Sequence, residues 1–147
     1  IKVVMDIEPT LWQEGTGVDN LVIRGNTFEK CNYSDWGSVI EIGTNIAGKS
    51  AETAVFTNVE VSGNKFTDIP SILLKANNIN SLIFKNNTVD TGEFFDKTSL
   101  QGRIQLGKYC SNIVYRDNTF TDSGFLRYKE IAKADNACVW AQINSQL

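Results

Sequence analysis

The sequence predicts an all-β chain, a right-handed parallel β-helix solenoid, and three observations predict it. One short pattern recurs, each copy alternates apolar and polar residues as a strand does, and each is followed by a second strand-like block. Four segments superpose without gaps: Asn20 to Phe28 (NLVIRGNTF), Asn58 to Phe66 (NVEVSGNKF), Ser81 to Val89 (SLIFKNNTV) and Asn112 to Phe120 (NIVYRDNTF). A pattern repeated at this scale means that each unit buries its apolar face only by stacking on its neighbours.

In chain order, Ile1 to Ile7 (IKVVMDI) reads as a strand, so the expectation is a chain that starts inside the solenoid, with residues 1–147 forming one domain cut from a longer protein. Within each repeat the second and fourth positions are apolar: Leu21 and Ile23, Val59 and Val61, Leu82 and Phe84, Ile113 and Tyr115. That period of two puts both on one buried strand face, and each set should form an interior column. The turn that follows carries Asn26, Asn64, Asn87 and Asn118. Asparagine suits a recurring bend because it tolerates left-handed backbone angles and its amide can bond the layers above and below. A second strand is expected at Ser38 to Ile42, Ser71 to Lys75, Arg103 to Leu106 and Phe125 to Tyr128, giving two sheets. The repeats start at 20, 58, 81 and 112, so their spacing varies and the extra length must enter as loops outside the shared strand. Cys138, Val139 and Trp140 fit a last strand or a cap.

The rival fold is a leucine-rich repeat, since LxxLxLxxNxL is matched by Val18 to Phe28, Phe56 to Phe66, Ile79 to Val89 and Cys110 to Phe120. The variable spacing, the second strand where a helix is expected, and Thr, Val and Phe at positions usually Leu argue for the β-helix.

Composition narrows the chemistry. The chain has 147 residues, a net charge of −3 and a pI near 4.9, so no basic face is offered to phosphates and no nucleic-acid partner is expected. No apolar run reaches the roughly 18 residues of a membrane span, so no membrane insertion is expected. Histidine is absent, which removes the commonest general base, the Ser-His-Asp and Cys-His systems and the usual zinc ligands. Cys31, Cys110 and Cys138 are widely spaced and read as buried thiols, neither a disulfide framework nor a metal knuckle. Neither a metal nor a cofactor is expected.

Two segments are richer in function-bearing residues than a scaffold requires: Pro9 to Gly17, with Trp12 and Glu14, and Cys31 to Ser38, with Tyr33, Asp35 and Trp36. Aromatic faces beside carboxylates suit sugars, whose C–H faces pack on rings while their hydroxyls bond to acids. Solvated acids and Trp side chains packed under loops would leave the same pattern. Carboxylate pairs are the acid–base system this composition supplies, and inverting glycosidases set theirs about 6.5–9.5 Å apart. Strands stacked at about 4.8 Å could place acids from nearby repeats at that separation, with Glu14, Asp35 and Glu41 as candidates. Arg24, Lys85 and Arg116 recur at the outward fifth position, interrupted by Ser62, and form a broken basic line that could bind an acidic polysaccharide or serve lyase chemistry.

From Asn20 to Tyr128 the repeats, often of the form I-x-x-N-x-F, resemble parallel β-helix proteins of the pectate-lyase-like class. More narrowly, Trp12 to Gly15 (WQEG), Gly25 to Phe28 (GNTF), Cys31 to Gly37 (CNYSDWG) and Val39 to Ile42 (VIEI), in that order, resemble the C-terminal β-helix region of family 110 α-1,3-galactosidases. That resemblance implies an inverting exo-glycosidase acting on terminal α-1,3-linked galactose without a metal, a neutral glycan partner, and an extracellular or periplasmic location. It also implies an adjacent-Asp catalytic motif upstream, and no Asp-Asp pair exists here, so the isolated chain should be inactive. Trp12 and Glu14 carry across as cleft residues, with Glu14 the candidate catalytic carboxylate and Trp12, Tyr33, Asp35 and Trp36 the candidate substrate-binding set. The competing expectation is a non-catalytic β-helix segment of an adhesin or tail-spike-like protein, or part of a polysaccharide lyase.

Overall fold

The computed structural model describes residues 5–7, 17–32, 38–43, 53–70, 72–90, 104–121, 128–130 and 140–143, with backbone alone for 5–7, 128–130 and 140–143. The strands, in chain order, are β1 (Met5–Ile7), β2 (Val22–Arg24), β3 (Thr27–Glu29), β4 (Ser38–Ile42), β5 (Phe56–Ser62), β6 (Lys65–Thr67) and β7 (Ile72–Ala76). There follow β8 (Ile79–Lys85), β9 (Thr88–Asp90), β10 (Ile104–Leu106), β11 (Ser111–Arg116), β12 (Thr119–Phe120), β13 (Tyr128–Glu130) and β14 (Trp140–Ile143). The described residues are all-β, without a helix.

Three parallel sheets result, ordered β1-β4-β7-β10-β13, β14-β11-β8-β5-β2 and β12-β9-β6-β3. Each repeat sends one strand to each sheet, and the pairings join equivalent positions of successive repeats. In the second sheet Ile23 registers with Val61, Val61 with Phe84 and Phe84 with Tyr115, while Val59 registers with Leu82 and Leu82 with Ile113. Those side chains are buried. Leu21 lies just ahead of β2, packs partly buried against the core, and its carbonyl accepts the Glu60 N–H at 2.8 Å. Aromatic rings stack from repeat to repeat inside, Phe28 on Phe66 at 5.0 Å and Phe84 on Tyr115 at 5.6 Å between centroids. Alternation thus fixes both the strand and its inward face, and stacking buries what one repeat would leave open.

Three expectations are revised. The sheets number three, not two, because the residues after each Asn turn form their own short strands (β3, β6, β9 and β12), whose central Phe28, Phe66 and Val89 are buried. A strand there also removes the helix that a leucine-rich repeat requires. The left-handed angles belong to neighbours of the ladder asparagines: Gly25 (φ 69°), Gly63 (60°), Asn86 (54°) and Asp117 (55°) precede them. The same conformation recurs at the start of each repeat, at Asn20, Asn58, Ser81 and Asn112. Each strand is therefore bounded by two bends made by residues that tolerate positive φ at little cost, or by Ser81 held there by its neighbours. The second strand blocks are also shifted at Ile72–Ala76, Ile104–Leu106 and Tyr128–Glu130 from their expected limits.

Trp140–Ile143 pairs with β11, so the end of the chain contributes a strand. Cys110 is buried and its thiol donates to the Ala76 carbonyl, whereas Cys31 is partly buried and burial raises its thiol pKa. Cys138 lies outside the described residues.

Candidate functional site

Loop length singles out the first sheet. The turn between the second and third sheets is the same short step in every repeat, Gly25-Asn26, Gly63-Asn64, Asn86-Asn87 and Asp117-Asn118. By contrast, the connections entering the first sheet are 30–37, 68–71, 91–103 and 121–127, and those leaving it for the second are 8–21, 43–55, 77–78, 107–110 and 131–139. Variation in loop length concentrates where a scaffold carries its function. Trp12 and Glu14 lie on the connection that follows β1, and Tyr33, Asp35 and Trp36 on the one that leads into β4. All five lie outside the described residues.

Along β4 and β7, Ile40 registers with Leu74 and Ile42 with Ala76, continuing to Ile104 and Leu106 in β10. This apolar set faces the core, so the alternate positions face outward: Val39 and Leu73, then Glu41, Lys75 and Gln105. Val39 and Leu73 are fully buried despite that direction and Gln105 is nearly so, while Glu41 and Lys75 are partly buried. Glu41, Lys75 and Gln105 form one polar row across neighbouring strands, in register with Asp6 at one side and Lys129 at the other. Lys75 and Gln105 were missed in the sequence. Aligning the blocks by their leading serines sets Glu41 against Leu74, whereas the structure sets Ser38 against Ile72, and a shift of one residue moves every side chain to the other face.

The outward face of the second sheet is chemically committed. The Glu60 carboxylate accepts from Ser62 Oγ at 2.6 Å and Arg24 Nη2 at 2.8 Å, and Lys85 Nζ stands 3.3 Å from its other oxygen. The Ser62 hydrogen bond, then Arg24 and Lys85, hold its pKa down to about 2 against the opposing effect of burial. Such a group stays ionised and cannot act as a general acid near neutrality. The broken basic line is therefore neutralised: Arg24 and Lys85 clasp Glu60, and Arg116 pairs with Asp117 at 3.8 Å. At the opening bend, Asp19 accepts from Thr57 Oγ1, Asn58 and Asn20, bonds that lower its pKa, while Asn80 accepts from Ser111 and Asn112. These groups tie repeats together.

Among the described residues no cluster of His, Cys, Asp and Glu could hold a metal. Among the same residues no helix is long and apolar enough to cross a membrane.

No protein-family model matches the chain. The chain is similar to a region of proteins named α-1,3-galactosidase A. It is 31% identical over 114 residues to that of Shewanella woodyi, an alignment covering 77% of this chain and 18% of that protein. It is 28% identical over 120 residues to those of two Bacteroides fragilis strains, NCTC 9343 and YCH46, covering 80% of this chain and 20% of each. The chain spans about a fifth of the length of the curated relatives it matches.

Proposed function

We propose that this chain is a right-handed parallel β-helix segment of a secreted, extracellular or periplasmic glycoside hydrolase acting on α-1,3-linked galactose, and that it supplies part of the glycan-binding surface. The observation that carries the proposal is its similarity, over more than three quarters of its length, to proteins named for that activity. Three stacked parallel sheets fed by one strand each per repeat support the β-helix part. Trp12, Glu14, Tyr33, Asp35 and Trp36 are proposed as ligand contacts because both of their segments join the sheet around which loop length varies. A neutral ligand is favoured over an acidic one because Arg24, Lys85 and Arg116 are each paired with a carboxylate.

The test is calorimetric titration of the 147-residue chain with α-1,3-galactobiose and with an oligogalacturonate, at low and at raised ionic strength. Galactobiose binding that survives added salt is expected. Preference for the acidic ligand, lost as salt screens it, would replace this proposal with the acidic-polysaccharide one.

A further inference from the structure

We propose that Glu41 is a sugar-binding carboxylate at the centre of the first sheet's outward face. The inference rests on the carbohydrate reading and adds to it a residue and a contact.

Each other carboxylate described with its side chain is engaged. Glu60 has Ser62, Arg24 and Lys85; Asp19 has Thr57, Asn58 and Asn20; Glu29 has Lys30 at 3.6 Å and Asp117 has Arg116. Asp68 and Asp90 also have partners. Among these described carboxylates, Glu41 alone makes neither a hydrogen bond nor an ion pair. It is partly buried, on a strand where Val39, two residues earlier, is wholly shielded from water, as is Leu73 on the neighbouring strand. A partly buried carboxylate without a donor from the protein is open to one from a ligand hydroxyl.

Its neighbourhood suits a sugar. Lys75, itself partly buried, is in register beside it on β7 at the strand spacing of about 4.8 Å, so a saccharide hydroxyl that donates to Glu41 meets a polar and not an apolar neighbour. The same strand begins where the segment bearing Tyr33, Asp35 and Trp36 ends. A carboxylate at this place accepts from the hydroxyls of a neutral glycan.

The experiment compares wild type, Glu41→Gln and Glu29→Gln, the last altering an exposed acid on the third sheet. Each is titrated with α-1,3-galactobiose and with maltotriose after thermal melts establish that all three fold. Expected is a loss of at least tenfold in galactobiose affinity for Glu41→Gln and none for Glu29→Gln. In 13C-Glu-labelled wild type, the carboxyl resonance that Glu41→Gln removes should shift as galactobiose is added. Equal affinity of Glu41→Gln and wild type, with no such shift, overturns the assignment and leaves the galactoside reading standing. Binding of maltotriose alone, weakened by Glu41→Gln, upholds Glu41 and overturns the galactoside reading. Absence of binding to either sugar overturns both.

Discussion

Asn64 and Asn87 show how one side chain can join three repeats. The Asn64 backbone N–H and Nδ2 both donate to Asn87 Oδ1, at 2.9 and 3.1 Å, and its Nδ2 also reaches the Ile23 carbonyl at 3.0 Å. Asn87 repeats the arrangement towards Asn118 Oδ1 and the Val61 carbonyl. Both are about 1% exposed, so removing one strands buried partners that water reaches poorly. Asn87→Ala is expected to cost about 3 kcal/mol, since an orphaned buried polar group costs roughly 1–3 kcal/mol and more than one is created. Asn26 is exposed, with one amide bond turned to its own Arg24 carbonyl, so Asn26→Ala should cost about 1 kcal/mol or less. Urea denaturation of the two variants measures the contrast, and equal costs would mean that the ladder contributes nothing beyond a turn preference. The ladder was legible in the sequence because Asn recurs at one offset. Which residue takes the left-handed angle was not, because Gly25 and Asp117 share that offset without sharing a side chain.

At the scale of the strand, the end of the first sheet depends on one close approach. The Asn77 N–H donates to the Ile42 carbonyl at 2.9 Å and the Gly107 N–H to the Ala76 carbonyl at 2.8 Å, which places Gly43, Asn77 and Gly107 on successive layers. A Cβ at Gly107 would lie 1.6 Å from Asn77 Oδ1 and 2.7 Å from its Cγ. The Asn77 side chain fills the space that a larger residue at 107 would need. Gly107→Ala is therefore expected to destabilise by about 1–3 kcal/mol, the usual range for overpacking. Asn77→Ala in the same chain should recover most of that loss, giving a coupling well above the roughly 0.5 kcal/mol seen between independent sites. A double-mutant cycle from denaturation midpoints decides it, and additive effects would place the Asn77 side chain elsewhere. Strand alternation in the sequence located the second and first sheets. It left Gly43 and Gly107 as unrelated turn residues, because loops of unequal length separate them from Asn77 and only the pairing aligns them. The same blindness hid the row formed by Glu41, Lys75 and Gln105.

For the molecule as a whole, the three sheets present different outer surfaces, and that of the second is tied together by a single carboxylate. Glu60 on β5 reaches Arg24 on β2 and Lys85 on β8, so three repeats meet at one charge. Arg24, Lys85 and Arg116 were visible in the sequence as a basic line, and Glu60, two residues before Ser62 and thus on the same strand face, was the signal that the line is closed. The carboxyl pKa falls from its ordinary 4.5 to about 2 on folding. A group whose folded pKa is depressed adds stability that is complete above its unfolded pKa and is lost as the pH falls through the folded one. The Glu60 contribution should therefore be full above about pH 4.5 and vanish towards pH 2. Arg24 is largely solvent-exposed, so screening limits each pair to about 1 kcal/mol or less. Glu60→Gln should lower stability at pH 7 by about 1–2 kcal/mol, the loss of two such pairs with the stronger Ser62 bond weakened. Because Gln does not titrate, the gap between wild type and variant should close through the window from pH 4.5 to 2, whatever the remaining carboxylates do in both proteins. Urea midpoints of the two proteins across that window test this directly. A gap that stays constant to pH 2, or widens on acidification, would mean that Glu60 holds the repeats by packing and not by charge.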